Sequence, residues 1–255
     1  MGRALLEAGA AGPGTAVAAA LDVKGSSWIG RDAGDLAPGA RGVAIVEDPH
    51  AALAASDALI DFTRPAGTLA HVAACLAAGK AIVIGTTGIE PADLATIREA
   101  ARAIPVVLAP NFSIGVNVTL GLVELAARAL GPDYDIEVFE IHHKLKVDAP
   151  SGTALKLGEA AAAARGTTLA KDGVFARHGL TGERKAGTVG FSVARGGDII
   201  GDHTVYFAGT GERIEITHRS ASRATYAQGA VRAAKWLSQR GPGLYDMQDV
   251  LGLRG

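Results

Sequence analysis

Through residue 112, short and nearly continuous apolar runs alternate with stretches in which apolar positions recur every three to four residues. The runs at 15–21, 42–46, 58–62, 81–84 and 106–109 read as strands. Patterns at 4–8, 51–55 and 91–103 read as helices, as does the segment that Pro65 opens and Gly79 closes. Strands that are apolar at almost every position are buried on both faces, so this half predicts a parallel sheet covered by helices on each side. A long helical pattern over 115–130 then leads into different territory. After a strand-like run at 134–139, the candidate strands 188–194, 203–207 and 213–218 alternate polar and apolar residues. In the last of these, Ile214 and Ile216 face one way and Arg213, Glu215 and Thr217 the other, as in a sheet with one wet face. Gly209-Thr210-Gly211 joins two strands as a hairpin. Helical patterns at 155–164 and 221–237 follow the same logic, and the tail 243–253 is expected to return to the first half. The fold class is therefore α/β. Residues 1–113 and 223–255 are expected to form a Rossmann-like dinucleotide-binding domain, and residues 114–222 an α+β domain with a mixed sheet.

In open parallel sheets ligands bind beyond the carboxyl ends of the strands. Three turns fall there: Asp22, Gly85-Thr86-Thr87-Gly88 and Pro110-Asn111-Phe112-Ser113. Asp22, at the end of an apolar strand, is placed to accept hydrogen bonds from a ribose diol; the alternative is a turn or cap aspartate. The acidic ribose ligand normally follows a glycine-rich phosphate loop by about 20 residues. Only 21 residues precede Asp22, and they hold no strand followed by G-x-G-x-x-G, so the sheet is expected to lack its first strand and phosphate loop.

The stretch Glu140-Ile-His-His-Lys-Leu-Lys-Val-Asp-Ala-Pro-Ser-Gly-Thr-Ala154 concentrates the candidate chemistry. A strand, a basic loop and a helix start in succession make an anion site, because first-turn N–H groups and the helix dipole attract negative charge. His142 and His143 add groups that exchange protons near neutral pH; a solvated basic loop is the plain alternative. A metal hydrolase fits poorly. Adjacent strand histidines point to opposite faces, and no Asp, Glu or Cys completes a ligand set.

The formal net charge of -1 removes nucleic acid and anionic membranes as bulk partners. A single cysteine, Cys75, excludes an internal disulfide framework and favours a reducing compartment, the cytoplasm. No stretch is expected to reach the length of a membrane-spanning helix. Glu7 and Gly12-Pro13-Gly14 interrupt any signal-peptide core, and Leu6 stands where myristoylation wants Ser or Thr.

Residues 140–154 resemble the E-x-H-H-x-x-K-x-D-A-P-S-G-T-A signature of the 4-hydroxy-tetrahydrodipicolinate reductase (dihydrodipicolinate reductase) family. Asp61-Phe-Thr-Arg-Pro65, Gly85-Thr-Thr-Gly88, Asn111-Phe-Ser-Ile-Gly-Val-Asn117, Gly211-Glu-Arg-Ile-Glu-Ile-Thr-His218 and the end, Gly243-Leu-Tyr-Asp-Met-Gln-Asp-Val-Leu251, are similar to further segments of it. The resemblance implies a lysine and diaminopimelate biosynthesis enzyme that reduces a cyclic imine dicarboxylate with NADH or NADPH and loss of water. It implies His142 as catalytic acid/base and Lys146 as second proton donor, with His143, Gly152 and Thr153 binding substrate. Gly85, Thr86, Thr87, Ala109, Pro110, Asn111 and Phe112 are implied as cofactor contacts and Asp22 as the ribose ligand. It also implies a homotetramer assembled through the second domain. The chain departs from the pattern at Leu145, where members often carry a third histidine, and at the start. Of the G-x-x-G-R-M-G segment only Met1-Gly2-Arg3 is present. Val23 stands where an arginine would grip a 2′-phosphate, so the balance leans to NADH even with Lys24 next to it. The competing expectation is a truncated, non-catalytic relative that holds the dicarboxylate but no nucleotide.

Overall fold

The computed structural model describes residues 1–253. It forms two compact units, one of Met1–Ile114 together with the chain from Ala224 onward, the other of Gly115–Arg223. The first unit starts with α1 (Gly2–Ala11), β1 (Ala20–Leu21), two 3-10 turns at Ala33–Asp35 and Pro38–Ala40, β2 (Ile45–Val46) and α2 (Pro49–Ala54). It continues with β3 (Ala58–Asp61), α3 (Pro65–Ala78), β4 (Ala81–Ile84), α4 (Pro91–Ala100) and β5 (Pro105–Leu108). The second unit contains α5 (Ile114–Leu130) from its second residue on, then β6 (Asp135–His142), α6 (Gly152–Ala164), α7 (Leu169–Asp172), β7 (Gly173–Val174), β8 (Val189–Arg195), β9 (Gly201–Ala208) and β10 (Arg213–Ser220). The chain then returns to the first unit with α8 (Ala224–Leu237), β11 (Gly243–Tyr245) and α9 (Met247–Leu251).

In the first unit β11, β5, β4 and β3 lie side by side in that order, all parallel. All four residues of β4 are buried because strands flank it and helices cover it. On one face Val72 and Cys75 of α3 and Ile97 of α4 pack on Ile82, Ile84 and Val106. On the other, Ala230, Ala233 and Leu237 of α8 pack with Val83, Val107 and Phe112. Each large apolar side chain taken fully out of water here contributes about 1.5–3 kcal/mol. Gly79 ends α3 in the left-handed conformation at φ 64°, as its position after the last apolar turn predicts. The β1–β2 pair is a separate parallel sheet, not hydrogen-bonded to the other four strands. The apolar run 15–21 yields only two strand residues. Its sole strand partner among the described residues is β2, and one residue before β2, Ala44 bridges Asp32 instead.

In the second unit the strand order is β10-β9-β6-β8-β7, with β6 antiparallel to β9 and parallel to β8. The even residues of β6 face the helices: Ile136 and Val138 pack with Val123 and Ala127 of α5 and with Leu157 and Ala161 of α6. The odd residues, from Asp135 to Ile141, lie on the other face, where Arg177 and Arg184 from the β7–β8 connection clasp Glu137 at 2.7–2.9 Å. One expectation is corrected. Residues Ile114–Asp133 are long and apolar enough to cross a membrane by length and composition. Asn117, Thr119, Glu124 and Arg128 punctuate the run, and its buried side (Val116, Thr119, Val123, Ala127) repeats at helical spacing and includes core positions of this unit.

Candidate active site

Strand alternation puts Glu140 and His142 on the same covered face of β6, and sheet register sets His203 directly opposite Glu140. His218 of β10 is in turn opposite His203. Glu140 is fully buried. Its Oε2 lies 2.5 Å from His142 Nδ1 and accepts from Arg195 Nη1 at 2.8 Å. Its Oε1 accepts from Arg195 Nη2 and from the Ser151 N–H, both at 3.0 Å. Burial opposes ionisation of this carboxyl, but the hydrogen bonds from Arg195, His142 and the Ser151 amide outweigh it and hold the group below the usual carboxylate range. The other imidazole nitrogen of His142 faces Gly201, where a Cβ would stand only 2.7 Å from Nε2.

Next to this pair His203 behaves in the opposite way. Its Nε2 meets Ser151 Oγ at 2.9 Å, while its buried Nδ1 has no partner among the described residues. Burial first, then the charge of His142, depresses its pKa to about 4, so it is neutral across the physiological range. The two rings meet edge-on, 5.1 Å apart. Ser151 also caps α6, accepting the Ala154 N–H at 3.1 Å, which leaves Gly152 and Thr153 in the electropositive first turn of a 13-residue helix. Between β6 and that helix the loop closes a turn from the Lys146 N–H to the His143 carbonyl. Lys146 Nζ sits 2.7 and 2.9 Å from the two carboxylate oxygens of Asp148. His143 Nδ1 is buried without a partner among the described residues. The structure thus gathers His142, Lys146, His143, Gly152 and Thr153 in one unit around the β6–α6 loop. It adds Glu140, Arg195 and His203. The first was visible as the same-face neighbour two residues before His142; the other two come from strands more than 50 residues on, with no local signal.

The nucleotide candidates lie in the first unit. Asp61, at the end of β3, is almost fully buried and accepts from Thr63, Thr68 and Thr86 hydroxyls, with His71 Nδ1 at 3.0 Å. This ties Thr86 to the turn after β3 and to α3, so the Gly85-Thr86-Thr87 loop is held from below while Thr87 stays exposed. Neither Asp61 nor His71 was singled out from sequence. A Cβ at Gly85 would collide with the Phe62 ring, so glycine alone fits the turn. Phe112 is 1% exposed and tilts against Phe62 at 5.4 Å, and its carbonyl abuts Gly229 of α8. Its ring is core, so only its backbone is available to a ligand. Ala109 is buried behind it, Pro110 is exposed, and Asn111 Oδ1 accepts from the Ser113 N–H at 2.8 Å. Asp22 follows β1 and accepts from the Val23 N–H at 2.8 Å and Ser26 Oγ at 2.5 Å. The turn role is present, and each oxygen keeps a lone pair for a diol. This donor and acceptor set fits a nicotinamide dinucleotide.

A parallel α/β unit with polar strand ends and a mixed-sheet unit with paired acid–base groups define a two-unit oxidoreductase. Family-level comparison agrees: residues 1–112 match the N-terminus of dihydrodipicolinate reductase and residues 115–251 its C-terminus. Among curated proteins the chain is 58% identical over 254 residues to the 4-hydroxy-tetrahydrodipicolinate reductase of Aromatoleum aromaticum, covering 100% of this chain and 92% of that one. It is also 58% identical to that of Cupriavidus necator, covering 100% and 96%. Among solved structures it resembles dipicolinate-bound dihydrodipicolinate reductase from Paenisporosarcina sp. TG-14 (TM-score 0.77, 22% identity, 97% and 94% covered), which supports the fold. The chain belongs to the 4-hydroxy-tetrahydrodipicolinate reductase family. It is an enzyme that uses a nicotinamide cofactor, and nothing in these comparisons supports a non-catalytic relative.

Proposed function

We propose that His142 is the proton donor of this reductase and Lys146 its second donor and carboxylate partner. The reaction is reduction of 4-hydroxy-tetrahydrodipicolinate to tetrahydrodipicolinate in lysine and diaminopimelate biosynthesis, with one water lost. The bound nicotinamide supplies the hydride. The observation that carries the residue assignment is the buried Glu140–His142 pair at 2.5 Å, one loop away from Lys146 and the α6 N-terminus. A ring that gains a hydride gains electron density and needs a proton; an imidazole nitrogen facing away from its carboxylate partner can give one. A cyclic dicarboxylate needs cations and N–H groups, which Lys146, Gly152 and Thr153 supply, with His143 beside them. The Gly85–Thr87 turn, Ala109–Phe112 backbone and Asp22 hold the dinucleotide in this reading. Asp22 followed by an exposed Val23 disfavours a 2′-phosphate, so NADH is the preferred donor. The chain assembles as a homotetramer in the cytoplasm, supported by the helix-free face of the second sheet with Phe139 and by the free, buried Cys75.

The test is kinetic. His142→Gln should lower kcat with KM for the dicarboxylate little changed, whereas Lys146→Ala should damage both. Wild-type turnover by His142→Gln would refute the assignment. Titration with NADH and NADPH, followed by nicotinamide fluorescence, checks the donor preference.

A further inference from the structure

We propose that Glu140 and Arg195 are the positioning pair of this site. Glu140 fixes the His142 ring so that Nδ1 keeps its proton and Nε2 does the exchanging, and Arg195 locks that carboxylate to the loop carrying Lys146. The inference rests on the reading of His142 and Lys146 as the proton donors and says how both are held.

The geometry divides the four donors evenly. Oε2 of Glu140 takes His142 Nδ1 and Arg195 Nη1; Oε1 takes the Ser151 N–H and Arg195 Nη2. An acceptor-only carboxylate facing Nδ1 requires a proton there, which leaves Nε2 as the nitrogen that gains and loses one. The Arg195 fork is bidentate, so it fixes the plane of the carboxylate as well as its charge. Arg195 Nη2 also donates to the Asp148 carbonyl at 2.6 Å, and Asp148 carries the side chain paired with Lys146. One guanidinium therefore joins β8 to both proton donors. Gly201 completes the arrangement from β9, since any side chain there would crowd Nε2.

Replacing Glu140 by glutamine makes a specific forecast. Glutamine has one oxygen, and its NH2 must face a donor. At the Oε1 position it would oppose two fixed donors, the Ser151 N–H and Arg195 Nη2. At the Oε2 position it opposes one fixed donor and an imidazole, which can switch tautomer. The NH2 therefore settles beside His142, whose Nδ1 becomes an acceptor and whose proton moves to Nε2. A wrong tautomer in a carboxylate–histidine pair costs orders of magnitude in turnover.

The experiment uses the full chain labelled with 15N-histidine, the His142 signals being assigned by their loss in His142→Gln. At alkaline pH the wild type should show Nδ1 protonated and Glu140→Gln should show Nε2 protonated. Glu140→Gln should lose at least about 100-fold in kcat, with KM for the dicarboxylate within about threefold. Arg195→Lys keeps a charge but loses the fork and the Asp148 bond, so it should retain the wild-type tautomer and raise KM through the loosened Lys146 loop. That arm decides the matter if Glu140→Gln does not fold. An unchanged tautomer with wild-type kcat in Glu140→Gln, or unchanged kinetics in Arg195→Lys, overturns the proposal. If His142→Gln itself turns over normally, the underlying assignment has failed instead, so the two failures are separable.

Discussion

His203 should make the second unit sensitive to acid in a way that one substitution removes. The ring is 4% exposed, its Nδ1 has no partner among the described residues, and its pKa falls to about 4 from an ordinary value of 6.5. Between those values the unfolded chain binds a proton that the folded chain refuses, so stability rises with pH and is lost as pH falls from 6.5 towards 4. At pH 4.5 the unfolded histidine is almost fully protonated and the folded one only partly, which amounts to about 2 kcal/mol of lost stability. Glu140 contributes in the same direction, since its depressed carboxyl also becomes protonated as acid is added. The comparison must therefore be a difference of differences. Wild type and His203→Gln would be unfolded in urea at pH 7 and pH 4.5. Glutamine keeps a polar atom for Ser151 but cannot take up the proton. Trp28 and Trp236 both lie in the first unit, so tryptophan fluorescence reports that unit while far-UV circular dichroism reports both. The circular dichroism transition of the wild type should lose about 2 kcal/mol more than that of His203→Gln between the two pH values. Equal losses would show that His203 is not held neutral by its surroundings.

Gly229→Ala would drive a Cβ into the Phe112 carbonyl, so it should destabilise the first unit by about 1–3 kcal/mol, read as a lower Tm by tryptophan fluorescence. Asp61→Asn removes the anion that four side chains address; it should cost about 3 kcal/mol in the same assay and weaken NADH binding measured by nicotinamide fluorescence. Asp148→Asn weakens the pair that links Lys146 to the Arg195-held loop, and because its carboxylate side is 56% exposed, KM for the dicarboxylate should rise by no more than about fivefold in initial-rate measurements.

Much of the fold follows from local pattern. The run 81–84 is a strand because every residue is apolar, and Pro65 and Gly79 mark the limits of α3. The run 15–21 shows where pattern fails: pairing needs a partner, and β2 offers only two residues. The short α7 and β7 escape notice because each contributes few apolar positions. The site divides along the same line. His142, Lys146, Gly152 and Thr153 fall within one contiguous signature and are legible together. Arg195 is not, because its role exists only after β8 has paired with β6 and set it beside His142. Asp61 sits inside a quoted motif, yet its function as a hub depends on Thr68, His71 and Thr86, which the fold brings to it.

The central contrast in the second unit is between two imidazoles whose rings touch. A pair of like groups at 5.1 Å cannot both be cationic cheaply, and the surroundings keep His203 neutral. His142 has a carboxylate partner that Arg195 holds in place, and its Nδ1 is committed to it. His203 has only the Ser151 hydroxyl, which does not compensate a buried cation. The neutral ring then packs edge-on against its neighbour without competing for the proton, and Ser151 is free to cap α6. A single serine thereby links three requirements: its amide binds Glu140, its hydroxyl meets His203, and that same oxygen starts the helix whose first turn faces the dicarboxylate in the proposed reaction. That sharing explains why the proposed acid and the proposed anion site occur within one short stretch of chain. The strand end and the helix start must be fastened to each other for either to keep its chemistry.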